Sequence, residues 1–456
     1  MYIDRRTFFS CATAFGAGCT FLPLQRAFAG EPVEILWSGL SLMRACPPKS
    51  KKVRHCSGLE DYFPNIYTIL KDEENENVIS QQLRDVIEKQ SGQNSDIKIV
   101  WGTDKNNYEV KDTDYGMFLG ITSDREIAHE YEPEKDVTVL IFELQMYLFV
   151  LNVERYEVVQ SYPLRFLELD MIKGEINEEV LPDKMWDLLT GKASTTKGQL
   201  LGIGRYDLPT MLPKALAAVH SDNTGAVNLR VTEIDTRPMT RNWVASQNKK
   251  VPDFESILGN SLSAAITETM KIGIQPYMPT EAIADLTEIY ASTVEGKSSA
   301  VLQKNLNFAP IELDLRLVSR GMKVKTEQDK RYETIKKRKV IIGLEIIAGR
   351  WERTYEDKQR QFVTEEKLVE KIFHQRFRAI TLEVVHEAWT NDWYWVIDLH
   401  HRLFTWFFEK IHKGDYPGIF RGQNVRHKSR QFLLQVVSKE FSGFETEAKN
   451  LRKALL

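Results

Sequence analysis

Glu383 and His386 stand three residues apart in a stretch, 365–388, whose apolar spacing predicts a helix. On a helix both would project from one side and could share a metal ion. Asp398 and His401 repeat that spacing in a second predicted helix, 391–413, beside His400. Glu383, His386, His400 and His401 therefore form a candidate His/carboxylate site between two antiparallel helices. A core reading competes with it. His400 falls among Trp393, Val396, Ile397, Phe404, Phe407 and Ile411, where a hydrogen-bonded buried imidazole is expected. His401 and His412 are three turns apart, about 16 Å, too far to share an ion. The chain has no His-Glu-x-x-His, His-x-His or Cys-x-x-Cys-His pattern. No cofactor is expected, with a non-covalent metal at these four residues left open.

Two further groups could bind rather than react. Tyr394, Trp395 and Trp406 do not fit the inward stripe of the 391–413 helix. They are candidates for an exposed aromatic patch that meets a partner, a glycan or a membrane surface. Basic residues crowd 320–339: Arg320, Lys323, Lys325, Lys330, Arg331 and the run Lys336, Lys337, Arg338, Lys339. A solvated hairpin end between two strands is expected there. Its functional form is contact with lipid head groups, lipopolysaccharide or another polyanion. Gly202-Ile203-Gly204 lacks the third glycine of a dinucleotide loop and reads as a turn. Gly-x-Ser-x-Gly and Ser-x-x-Lys motifs are absent from the sequence.

Asp4-Arg5-Arg6-Thr7-Phe8-Phe9, the uncharged run Thr7 to Gln25 and Ala27-Phe28-Ala29 resemble a twin-arginine (Tat) export signal. The resemblance implies cleavage after residue 29, a mature chain from Gly30 and a periplasmic location. Arg26 fits it, because a basic residue before the cut disfavours the general secretory route. That route is the alternative, and lipidation at Cys19 is a minor one. In an oxidising compartment the remaining cysteines, Cys46 and Cys56, are expected to pair. The short loop they close would contribute roughly 2–3 kcal/mol. Two cysteines cannot hold a four-thiolate iron–sulfur cluster.

The chain carries 61 Lys+Arg against 64 Asp+Glu, a formal net charge of −3. That balance gives no global field for nucleic acid. The length suits two or three domains. Beyond the leader no stretch reaches the roughly eighteen apolar residues of a membrane span, so no transmembrane segment is expected after cleavage.

These groups must be placed by elements that the pattern outlines. Strands are expected at 32–37, 96–101, 116–127, 137–153 and 156–169, with a helix at 77–90. The turn Asn152-Val153-Glu154-Arg155 marks an antiparallel hairpin. A helix follows at 180–189. Later come a strand at 227–235, a helix from Asp253 as N-cap, a short strand near 272–277, and strands at 311–317 and 340–355. A last helix or broken pair is expected from Arg426 to the end. The helix-then-strand order occurs twice. It is similar, over about half the chain, to the periplasmic modules of the curli-secretion lipoprotein family and the TolB amino-terminal family. The resemblance lies in element order and implies no functional residue.

The expected architecture is α+β: two α/β units with largely antiparallel sheets plus a helical C-terminal segment. Its boundaries are 1–29 for the leader, 30–190 and 200–362 for the units, and 363–456 for the segment. The expected function is that of an exported, non-catalytic cell-envelope accessory or binding protein, with an envelope protein or anionic envelope surface as partner. A Tat-dependent metalloenzyme using the four residues above is the first alternative, and a periplasmic solute-binding protein the second.

Overall fold

The computed structural model describes residues 32–45, 60, 63–91, 97–101, 115–134, 136–152, 157–192, 207–219, 229–277, 287–291, 301–302, 307–308, 311–328, 335–355, 363–386, 392–427, 430–437 and 440–456. The fold class is α+β. The chain opens with β1 (Val33–Ala45), α1 (Pro64–Leu70), α2 (Glu73–Ser91) and β2 (Ile97–Trp101). Three long strands follow, β3 (Tyr115–Glu132), β4 (Val137–Asn152) and β5 (Glu157–Lys173), then α3 (Val180–Thr190) and α4 (Leu208–Ala218). β1 lies parallel to β2 and β3, and β3, β4 and β5 form an antiparallel meander.

The order then recurs. β6 (Leu229–Thr236) leads through α5 (Pro238–Ser246) into α6 (Val251–Met270). Gln275 makes a parallel bridge to Arg230 of β6, in the place that β2 takes beside β1. Short strands β7 (Thr287–Ala291), β8 (Val301–Leu302) and β9 (Asn307–Phe308) return to the first sheet. A second meander follows: β10 (Leu313–Gln328), β11 (Ile335–Tyr355) and β12 (Val363–His386), with β10 parallel to β6. The chain ends with α7 (Asp392–Lys413), α8 (Tyr416–Arg421), β13 (Gln423–His427), β14 (Arg430–Val436) and α9 (Phe441–Leu455).

Burial on β4 shows how the layers stack. Thr138 through Val150 are all buried, so both sides of this strand are covered. Leu140, Phe142, Leu144, Met146 and Leu148 share a core with α1 to α4. Val139 and Ile141, on the other side, share a core with α6 and α7. That second core also takes Leu313, Leu315 and Leu317 of β10 and Val340, Ile342, Leu344 and Ile346 of β11. α6 and α7 thus lie between the two sheets. The segment after α6 ties the sheet edges together: the Ile274 amide donates to the Ser161 carbonyl at 2.8 Å, and the Gln275 amide to the Leu229 carbonyl at 2.8 Å. Among the described residues no helix is long and apolar enough to cross a membrane.

The carboxy-terminal part departs from the sequence expectation. Residues 365–388 were expected as a helix, but 363–386 form β12, paired with β11 along its length. Phe377, Ala379 and Thr381 are buried while Arg376, Arg378 and Leu382 are exposed, a period of two. The expected helix from Arg426 begins only at Phe441, because 423–427 and 430–436 form a hairpin on the edge of β12. The segment 363–456 is therefore part helix and part sheet, and it supplies three strands of the second sheet. The helix at 391–413 is α7, and the strands at 311–317 and 340–355 are β10 and β11. α6 is capped at Lys250 rather than Asp253. Asp253 lies in its first turn, where a carboxylate meets the positive end of the helix dipole.

Candidate functional site

The metal candidates do not come together as expected. Glu383 and His386 sit on β12, where positions three apart alternate across the pleat, so the helical argument for their pairing fails. Their side chains lie outside the described residues. His400 is the buried core imidazole of the competing reading. Its Nδ1 donates to the Val396 carbonyl at 2.6 Å, and its ring meets Phe254 edge-on at 5.9 Å. Burial pushes its pKa down to about 4, against the opposing Val396 bond, so it stays neutral. His401 turns instead toward the first sheet and pairs with Ser261 of α6. Among the described residues no three His, Cys, Asp or Glu side chains gather as metal ligands. Cys46 and Cys56 lie outside the described residues.

The aromatic candidates are buried, which corrects the exposed-patch expectation. Tyr394, Trp395 and Trp406 expose 1%, 3% and 8% of their surface. Every residue from Trp393 to His400 is buried. A one-sided stripe assumes a helix with a solvent face, whereas this end of α7 is enclosed on all sides. Trp243 of α5 stacks on Trp393 at 5.6 Å, Phe254 of α6 approaches Trp393 at 5.4 Å, and Phe407 packs on Phe373 and Phe377 of β12 at 5.5 and 5.1 Å.

A polar chain that sequence reasoning missed crosses from β4 to α7. Glu143, fully buried, accepts from Arg165 Nε at 2.6 Å and from Arg125 Nη2 at 2.8 Å. Burial opposes its charge, but Arg165 and Arg125 outweigh that and hold its pKa at about 2. Arg165 Nη1 donates to Ser261 at 3.2 Å, and Ser261 meets His401 Nδ1 at 3.1 Å. Beside it Tyr147 donates to Asn260 at 2.9 Å, and Asn260 donates to Gln145 at 2.6 Å. The signal was present: Glu143, Gln145 and Arg165 interrupt very apolar strands, and such residues need partners. Gly259, next to Asn260, lets the ring of Tyr277 rest on the helix, since an added Cβ would lie 2.4 Å from it.

The basic run is divided by the pleat of β11. Arg338 points inward, is 2% exposed, and pairs with Asp392 at the start of α7 at 3.0 Å. Lys336 is half-buried, whereas Lys337 and Lys339 are exposed. The hairpin of β10 and β11 expected there is present. Lys325 stands directly opposite Lys339, and Lys323 opposite Ile341, on the side away from the core. Arg378 and Leu382 of β12 continue the same surface. Lys323, Lys325, Lys339 and Arg378 form no ion pair among the described residues. Glu327, exposed on the same face, stands opposite Lys337. Toward the other end of the face, Glu345 is taken by Arg320, Arg376 and His374. Burial works against its charge, yet the bonds from His374 and Arg320 and the charge of Arg376 hold its carboxyl below its ordinary range.

The far end of that sheet face is balanced. Arg316 pairs with Glu233 at 2.8 Å and Glu366 at 2.7 Å, and lies 4.1 Å over the ring of Trp351. Arg353 pairs with Glu366 at 2.7 Å and with Asp314. The outer face therefore has a neutralised end and a cationic end.

No family model matches the chain, and no curated protein matches it. Among solved structures it is similar over part of its length to the Helicobacter pylori protein described as a "putative neuraminyllactose-binding hemagglutinin homolog", at 10% identity and a TM-score of 0.21. That match covers 35% of this chain and 81% of the other. A likeness at that score carries no argument about fold or function.

Proposed function

We propose that this chain is an exported, non-catalytic cell-envelope binding protein that docks an anionic envelope surface through the cationic end of its second sheet. One observation carries the reading. Lys325 and Lys339 face each other directly, with exposed Lys323, Lys337 and Arg378 on the same side against one acid, Glu327, opposite Lys337. Like charges opposed across strands are destabilising. An external surface of opposite charge relieves that repulsion, at about 1 kcal/mol per lysine near anionic lipid. Leu382, 39% exposed beside them, supplies an apolar contact. The resemblance of residues 1–29 to an export signal supports the reading, since periplasmic faces carry anionic lipid.

The test is flotation of the purified protein with vesicles of phosphatidylcholine alone or with added phosphatidylglycerol. Wild type is expected to float only with the anionic vesicles, less at high salt. The double variant Lys325→Glu/Lys339→Glu is expected to stay unbound. Equal flotation of both proteins, or flotation of neither, overturns the docking face. A leader–reporter fusion kept in the cytoplasm overturns the compartment.

A further inference from the structure

Arg230 is a buried cation that bonds to no carboxylate among the described residues. It is 3% exposed, and its Nε is sealed from solvent with no hydrogen-bond partner. Among the described residues its guanidinium makes no hydrogen bond and no ion pair. The charged groups around it act in opposite directions. Arg353 repels it, whereas Asp314, its cross-strand neighbour, favours its charge but bonds to Arg353 through one oxygen and forms no bond to Arg230. The hydroxyl of nearby Tyr147 donates to Asn260 and makes no bond to Arg230. Tyr277 is also nearby. Burial, and then Arg353, push the Arg230 guanidinium down to about 10, which leaves it charged at neutral pH.

Removing a guanidinium from water without pairing it is costly, and proteins avoid it unless something answers the charge. The fork of N–H groups on arginine matches the two oxygens of a carboxylate or phosphate. The position adds meaning. Arg230 pairs through its backbone with Gln275, in the segment whose adjacent amides hold the edges of both sheets. We propose that Arg230 is the anchor of a small-oxyanion site at the junction of the two sheets, taking a carboxylate or phosphate group. Such a ligand would give the guanidinium the bonded oxyanion it lacks and fasten the junction. The site lies at the end of the second sheet opposite the lysine cluster, beside Asp314 and Arg353, and its existence does not depend on envelope docking.

The experiment follows thermal unfolding of the purified protein in sodium phosphate, sodium acetate and sodium chloride at matched ionic strength. Wild type is expected to gain about 2 °C for each tenfold of bound-competent oxyanion above its Kd, relative to chloride. The phosphate and acetate arms tell a phosphoryl ligand from a carboxylate. Arg230→Met is expected to melt no lower than wild type in chloride and to lose the oxyanion response. Arg230→Lys should keep the charge and a weakened response. The proposal is overturned if wild type melts alike in all three salts, or if Arg230→Met responds as wild type does. It is also overturned if Arg230→Met cannot fold while Arg230→Lys folds without any oxyanion response.

Discussion

The two sheets share a strand order but differ in what covers them. Each begins with a strand that has parallel neighbours on both sides and continues into a long antiparallel meander. In the first sheet β4 is buried on both sides, so its charged residues, Glu143 above all, are locked into internal pairs. In the second sheet the equivalent hairpin leaves one face open, and there Lys325 and Lys339 stand opposite one another with no ion pair among the described residues. Coverage, rather than strand order, decides whether a charge holds the molecule together or remains free for something outside it.

The comparison breaks most clearly at Glu143. Glu143→Leu would leave Arg165 and Arg125 without their carboxylate, and a severed buried pair costs about 3–5 kcal/mol. A urea midpoint unchanged from wild type would show that the covered sheet does not depend on this pair. Asp124 offers a smaller effect with a pH signature. It lies on β3, is buried, and accepts the Asn65 and Ile66 amides at the start of α1 at 2.9 and 2.6 Å. Its burial outweighs those bonds and raises its pKa from 3.8 to about 7. An acid whose folded pKa is raised contributes stability below its unfolded value, and that contribution is lost as pH rises through about 7. Asp124→Asn keeps an accepting oxygen and does not ionise. Its stability relative to wild type is expected to improve between pH 5 and pH 8, read from urea midpoints at the two pH values. A constant difference would refute the titration. On the open face Lys325→Glu should raise stability slightly, by about 0.2–1 kcal/mol, by turning a repulsive cross-strand pair into an attractive one. Destabilisation by that variant would mean the lysine is held by the fold after all.

Much of the fold was legible before the structure. The meander of the first unit, α6, α7 and the hairpin of β10 and β11 all follow from local alternation or helical spacing, because each has a repeating apolar face. β12 did not. Its charged residues are spaced so that a helical face can be drawn through them, and pairing with β11 overrode that local pattern. The site was legible only in part. The basic run was visible, but its division into an inward Arg338 and outward Lys337 and Lys339 depends on strand register. Tyr394, Trp395 and Trp406 were misplaced because the layers on either side of α7 come from residues far away in the chain.

By itself, the sequence determined the absence of several familiar catalytic motifs and the location of most of the described strands and helices. These depend on neighbours a few residues apart. Tertiary structure alone decided which charges are answered. Arg125, Glu143 and Arg165 meet by strand pairing, Arg338 meets Asp392 across layers, and Arg230 forms no ion pair among the described residues. The physical reason is that a charge is stabilised by what lies within a few ångströms of it, and only the folded chain fixes that distance.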